Sequence, residues 1–303
     1  MSGTDLLVRP SHMSEDNYNS VLSCLTLESK SSDEQISSLT TIPAMDLLSI
    51  PPTVHFGPVI DSEIVHTAPS YTSISTSQPA LPATTWLESL VIGDCHYDGS
   101  ILFLALGGRP SIGSSFQTSI TASLGADIYE KIRKMYLTKS YRDTPDDPAR
   151  GGIYRFGNDV AFYAPTLAYA KHFHDAGVKT YVYRFLSTNP WPGPYKFMAH
   201  HILDVAFLFQ NYNEFLHEIT QRQAAAEFGE TILEFVAGKE PWAPWSEEGD
   251  TMHVLDSGVG VFQEDIEVVP KDVKGPATAI VQLARKVGWQ ALEDAWGAFV
   301  RGN

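Results

Sequence analysis

Residues 180–185, Thr180-Tyr181-Val182-Tyr183-Arg184-Phe185, form the stretch on which the fold turns. β-Branched and aromatic side chains fill five of six consecutive positions, which is the composition of a pleated strand. Upstream, Val160 to Phe173 is apolar at helical spacing and stops before Gly177, a suitable helix terminator. Further back, Leu90-Val91-Ile92 is a short apolar run ended by Gly93, the mark of a buried strand. Strand, helix, strand, helix predicts an α/β protein with a mostly parallel sheet and flanking helices. Only two or three strands are legible, so the sheet is expected to be incomplete, and residues 1–303 are read as one partial domain.

The other segments read as helices and loops. Ser14 fits the cap of a helix running to about Leu25, and Ser32 and Gln35 have capping-box spacing. Pro43 opens a helical turn through Leu48. Residues 66–84 are rich in Ser, Thr and Pro and are expected to be a mobile surface loop. Gly113 to Tyr136 has helical spacing, and Ser140 to Gly152 reads as loop. Asn213 is placed to cap a long helix closed by Gly238 and Pro241, and a last helix spans 275–299 with an interruption at Gly288.

Composition narrows the function classes. Hydrophobic residues make up 43% and charged residues 19%, ordinary for a globular chain. The net charge of −15 argues against nucleic acid and anionic membrane surfaces as partners, both being polyanions. Two cysteines, Cys24 and Cys95, read as reduced thiols. The first residues show no signal peptide, and runs such as Ile101–Leu106 and Val205–Phe209 are too short to span a bilayer. A cytoplasmic location is therefore expected.

Two segments at apparent strand ends carry chemistry, as ligand sites of open α/β sheets do. They are residues 91–100, VIGDCHYDGS, and residues 199–209, AHHILDVAFLF. A carboxylate from the first would fix the tautomer of a histidine from the second, giving an acid–base pair. Spacing alone equally allows Asp98, before Gly99, to be a turn residue and the histidines to be structural. His172, His174 and Asp175 read as a solvated helix end. His200, His201 and Asp204 lack a third convincing metal ligand position, so no metal or other cofactor is expected. Cys95 reads as a buried thiol rather than a nucleophile, and Asp159 as a helix cap. Trp191, Tyr195, Phe207, Tyr212, Trp242 and Trp245 read as either pocket lining or core.

An ordered set of motifs across residues 50–250 resembles the type-B carboxylesterases of fungal and animal type, including cholinesterase-like α/β-hydrolases. Ile92-Gly93…Asp98-Gly99-Ser100 is similar to the family's triad-acid segment. Asp159, Phe162 and Pro165 resemble its "D..F..P" helix start, and Tyr181, Tyr183 and Phe185 its "Y.Y.F" strand. His201, Asp204, Val205, Phe207 and Phe209 match the frame of the catalytic histidine, which His200 does not fit. Phe56 to Asp61 resembles "FGPVVDG", and Trp242 and Trp245 the later tryptophan pair. The resemblance implies the C-terminal portion of an α/β-hydrolase fold, a small-molecule ester as substrate, Asp98 as triad acid and His201 as triad base.

The sequence departs from the family at its nucleophile. No G-x-S-x-G pentapeptide occurs; Gly108-Arg109-Pro110-Ser111-Ile112-Gly113 has the wrong spacing and follows the acid. No HGG-type oxyanion segment occurs either. The chain is therefore expected to be inactive alone and to need an N-terminal half, or else to be a truncated, non-catalytic binding protein. An unpaired sheet edge beside Leu90–Ile92, open to self-association, is the expected structural sign.

Overall fold

The computed structural model describes residues 11–50, 58–75, 86–139, 141, 144, 147–216, 219–246, 251–256, 260–265 and 276–302. The chain forms two compact units, Asp5–Pro69 and one containing Ser70–Asn303. The first holds α1 (His12–Cys24), α2 (Ser32–Thr41) and α3 (Ala44–Leu47). Helix α1 begins ahead of Ser14, whose N–H bonds the Ser11 carbonyl. The capping box of α2 sits one residue earlier than expected: the Glu34 carboxylate accepts from the backbone N–H and hydroxyl of Ser31. Gln35 is unavailable for that role, because its amide bonds the carbonyls of Leu27 and Lys30 and accepts from Tyr18.

The larger unit opens with α4 (Tyr71–Ser75), inside the stretch expected to be loop. Two buried anchors explain the order there: Ile74 packs inward, and the Tyr71 hydroxyl donates to the Val160 carbonyl at 2.8 Å. Residues 76–84 of that stretch lie outside the described residues. Strand β1 (Ser89–Cys95) then runs straight through Gly93. Glycine is required there by contact, since a Cβ would overlap the ring of Tyr183 on the neighbouring strand. Gly93→Ala is expected to destabilise the protein by about 1–3 kcal/mol, the usual result of overpacking. Urea unfolding measures this, and a change below about 0.5 kcal/mol would refute the clash.

Helices α5 (Leu102–Leu106), α6 (Ile112–Leu124) and α7 (Ala126–Tyr136) follow. The last two were legible as one helical stretch, but Gly125 at φ +87° turns the chain between them. Helix α8 (Pro148–Asn158) starts inside the expected 140–152 loop, with the Asp147 carboxylate accepting from Arg150 N and proline in the first turn. A π-helical turn, Asp159–Tyr163, joins it to α9 (Ala164–Asp175), which leads into β2 (Lys179–Phe185). Then come α10 (Leu203–Leu208), α11 (Ile219–Val236), β3 (Thr251–Asp256), β4 (Gly260–Asp265), α12 (Pro276–Val287) and α13 (Trp289–Arg301). Asn213 opens only a short 3-10 turn, Asn213–Phe215; the long helix begins at Ile219.

The sheet has the order β1-β2-β3-β4, parallel except for the last pair, with β1 at one edge. Alternation along the strands sends side chains to opposite faces. Cys95, Tyr183, Phe185 and Leu255 meet Leu203, Phe207 and Phe228 on one face. Ile92, Val182, Met252 and Val254 meet Tyr163, Ala170 and Trp245 on the other. Both faces are thus covered, as a parallel sheet demands. Beyond the sheet, Phe116, Tyr136, Phe156, Trp296 and Phe299 pack their rings edge to face or tilted. No helix among the described residues is long and apolar enough to cross a membrane.

Strands β1 and β2 end level, Cys95 beside Phe185. Past that point the chain keeps pairing: His96 N–H donates to the Phe185 carbonyl and Tyr97 N–H to the Ala199 carbonyl, and Tyr97 bridges to His200. Residues 96–98 are thereby held against 199–201, at the carboxyl end of the sheet.

Candidate active site

This pairing brings together two groups that lie 103 residues apart in sequence. The Nδ1–H of His201 donates to Asp98 Oδ1 at 2.7 Å. The second oxygen of Asp98 accepts from the backbone N–H of Cys95 at 2.7 Å, so the carboxylate is held from two directions. Asp98 is fully buried in the first turn of a 3-10 helix, Asp98–Ile101. Burial raises its carboxyl above the ordinary range, and the hydrogen bonds from His201 and Cys95 work against that rise. His201 is positioned through its backbone too, its N–H donating to Ser100 Oγ at 3.1 Å. The ring of Phe162 meets the imidazole edge-on at 5.7 Å.

A second layer supports this pair. Gly99 N–H donates to Asn158 Oδ1 at 2.9 Å, and Asn158 donates in turn to Asp159. Asp159 also accepts from the Tyr136 hydroxyl at 2.6 Å and lies buried at the start of the π-helical turn. Its backbone closes the Pro148–Asn158 helix at the C-cap, while its side chain ties Tyr136 and Asn158 to the acid loop. Asn158 and Tyr136 were not singled out from sequence, because nothing in their local pattern distinguishes them from ordinary helix residues; Ser100 was quoted only as part of the acid motif, without a role.

Behind the pair lies a buried ionic cluster. Asp94 on β1 stands opposite Arg184 on β2, with Nη2 3.8 Å from Oδ2. Neither carboxylate oxygen of Asp94 has a hydrogen-bond partner among the described residues. Burial lifts the Asp94 carboxyl to about 7, against the pull of Arg184 and helped by Asp98, Asp159 and Asp204. The guanidinium lies 4.3 Å over the Tyr163 ring and donates toward His96 Nδ1 at 3.4 Å. His96 is pushed down to about 3 by burial, then by Arg184 and Arg155, and is a neutral acceptor.

The neighbouring histidine has a different assignment. His200 Nδ1–H donates to the His201 carbonyl at 2.9 Å, and its Nε2 accepts from Asn189 Nδ2 at 3.2 Å. Both ring nitrogens are engaged away from Asp98, and burial lowers its affinity for a proton. Asp204 faces the core, accepting from the Tyr183 hydroxyl at 2.8 Å. His172 bonds the Ile74 carbonyl, His174 packs on Trp245 and Asp175 pairs with Lys171. Among the described residues, no group of three or more His, Cys, Asp or Glu is arranged to hold a metal ion. Cys95 is buried and its thiol is raised well above the ordinary range, first by burial and then by Asp98 and Asp204.

A cavity of about 460 Å³ opens on His201, with Trp191 and Tyr212 from the aromatic set in its wall. Of the others, Tyr195 packs on His200, Phe207 is core, and Trp242 and Trp245 cover opposite faces of the sheet.

The model of the Carboxylesterase family matches residues 6–252. No curated protein matches the chain. Among solved structures, a PNB esterase is similar over 88% of this chain at 20% identity, with a TM-score of 0.54. A thermophilic PNB esterase gives 88%, 19% and 0.55. The carboxylesterase EST55 of Geobacillus stearothermophilus gives 86%, 20% and 0.58. The chain spans about half the length of these proteins, 54% in each case.

Proposed function

The chain belongs to the carboxylesterase family, and from that premise we propose that it supplies the acid–base half of a carboxylic ester hydrolase. Asp98 orients His201 and stabilises the imidazolium that forms during turnover. His201, with Nδ1 engaged by Asp98, uses Nε2 as general base toward a serine hydroxyl and then as general acid toward the leaving alcohol. The observation that carries this reading is the 2.7 Å contact between His201 Nδ1 and a doubly bonded, buried Asp98 at the carboxyl end of the sheet.

In this reading the serine and oxyanion donors belong to polypeptide other than these 303 residues, since no G-x-S-x-G pentapeptide occurs among them. A companion segment adding a strand beside β1 would extend the sheet, and without it that edge would favour self-association. The cytoplasmic setting and the single partial α/β-hydrolase domain belong to the same proposal. The missing nucleophile favours one other reading, a family member that binds without turning over.

The test is turnover of p-nitrophenyl acetate. The 303-residue chain alone is expected to show no rate above that of His201→Ala. Turnover by the chain alone that this variant loses would place the nucleophile within the chain and overturn the shared-site part. Addition of a companion polypeptide carrying a G-x-S-x-G turn is expected to give turnover. If no such polypeptide does so, the binding reading stands.

A further inference from the structure

Four carboxylates are buried among the described residues, Asp94, Asp98, Asp159 and Asp204, against a single buried lysine or arginine, Arg184. One guanidinium cannot balance four negative charges away from water, so the carboxylates must differ in which of them keeps a proton. Hydrogen-bond donors decide between them, because each donor favours the ionised form of the group it meets. Asp98 accepts from the His201 Nδ1–H and the Cys95 N–H. Asp159 accepts from the Tyr136 hydroxyl and from Asn158 Nδ2, and Asp204 from the Tyr183 hydroxyl and the Val205 N–H. Each of these three has a donor on both oxygens. Asp94 has one on neither.

Asp94 is also placed to act on the acid. The N–H that holds Asp98 belongs to the peptide joining Asp94 to Cys95. Across the strands Asp94 stands opposite Arg184, whose Nη2 lies 3.8 Å from Oδ2, an ion pair without a hydrogen bond. The charge of Arg184 acts on Asp94, Asp159 and Asp98 together, so these carboxylates share one counter-ion. The charged groups around Asp94 are Asp98 from its own strand, Arg184 from β2, Asp159 from the π-helical turn and Asp204 from α10. Tyr163 lies under the guanidinium, His96 accepts from it as a neutral ring, and the β3 residue opposite Arg184 is the uncharged Val254.

We propose that Asp94 is a positioning residue for the triad acid: it keeps the proton that this set of carboxylates must hold and, with Arg184, leaves Asp98 ionised against His201. The inference rests on the proposed role of Asp98 and deepens it. A protonated Asp98 would lose the charge-assisted bond that fixes the imidazole. While Asp94 is neutral, Asp98 has the field of Arg184 without that competitor. Once Asp94 ionises, it draws on the same guanidinium and repels the acid.

The test reads the carboxyl groups directly, by ¹³C NMR of the 303-residue chain labelled at the aspartate γ carbon. Asp94→Asn and Asp98→Asn assign the two signals. Asp98 is expected to be half-ionised at least about one pH unit below Asp94, a tenfold preference. Asp94→Asn, which is neutral at every pH, is expected to leave the Asp98 midpoint unchanged, since Asp94 is already neutral where Asp98 titrates. Arg184→Met is expected to raise the Asp98 midpoint by about one unit or more and to move the His201 Nδ1–H resonance upfield near about pH 6. Arg184→Lys, which keeps the charge, is expected to reverse most of both changes.

Asp98 half-ionised at or above the pH of Asp94, or a fall of its midpoint in Asp94→Asn, would overturn the proposal. Failure of Arg184→Lys to reverse the changes would overturn the part played by the Arg184 charge. If Arg184→Met does not fold, the wild-type and Asp94→Asn titrations still decide the order. None of these readouts needs turnover. The expected order in a chain that no companion polypeptide activates would sink the hydrolase reading alone, and a reversed order in a chain that turns over would strike only the role of Asp94.

Discussion

Replacing His201 by alanine is expected to lower kcat for ester hydrolysis about a millionfold in the protein complemented with its nucleophile, the loss found when a triad histidine is removed from subtilisin. No neighbour can take over. His96 is held neutral with a strongly depressed proton affinity, and His200 has both ring nitrogens committed to a carbonyl and an amide. Asp98→Asn leaves the shape intact but presents either an amide donor or a neutral carbonyl to Nδ1. It is expected to lower kcat about ten-thousandfold, as the matching change does in serine proteases. The KM for a neutral ester should change far less in both variants, because acid and base act on the reacting atoms in the transition state rather than on ground-state binding. Retention of more than about a tenth of the activity by His201→Ala would show that the Asp98–His201 contact is structural rather than chemical.

Arg184→Met is expected to give the largest loss of stability, about 3–5 kcal/mol, because it leaves Asp94 buried without a counter-ion. The pH dependence has a definite sign. The Asp94 carboxyl is raised to about 7 in the folded protein from an ordinary value of 3.8. The native state therefore binds an extra proton between about pH 4 and pH 7, and stability falls as pH rises through that window, by ~4 kcal/mol in all. Removing Arg184 takes away the charge that holds this carboxyl down. The loss in the variant should be largest near about pH 8, where wild-type Asp94 is ionised, and clearly smaller near about pH 5.5, where it is protonated. Urea unfolding at the two pH values measures it. Equal losses would assign the effect to the packing of Arg184 on Tyr163 instead of to charge.

Much of the site was legible because it is written in type and order. Asp98 before Gly99-Ser100 and His201 three residues ahead of Asp204 stood out once the ordered motifs between residues 50 and 250 were taken together. Strand β2 was legible because five β-branched and aromatic residues in six positions leave little other choice. Strands β3 and β4 were not, since Thr251-Met252-His253-Val254-Leu255-Asp256 is short and interrupted by histidine. Its strand character comes from pairing with Tyr183–Phe185. Helix α8 was hidden by the polar stretch before it, although Asp147-Pro148 held a cap and a first-turn proline.

The sequence by itself determined the class of the fold, the residues able to act as acid and base, and the absence of a G-x-S-x-G turn among these 303 residues. Those are properties of residue type and short spacing, which a chain displays before it folds. The motif frame already pointed to His201 over His200, and the tertiary structure supplied the contact, with His201 Nδ1 2.7 Å from Asp98 Oδ1. It decided that Asp94 and Arg184 face each other, through the register of two strands separated by some ninety residues. It also decided that Trp191, Tyr212 and Phe215 share a cavity wall with His201, residues up to 24 positions apart in sequence. Contacts between residues distant in sequence depend on register, packing and backbone direction, and none of these is encoded at a single position.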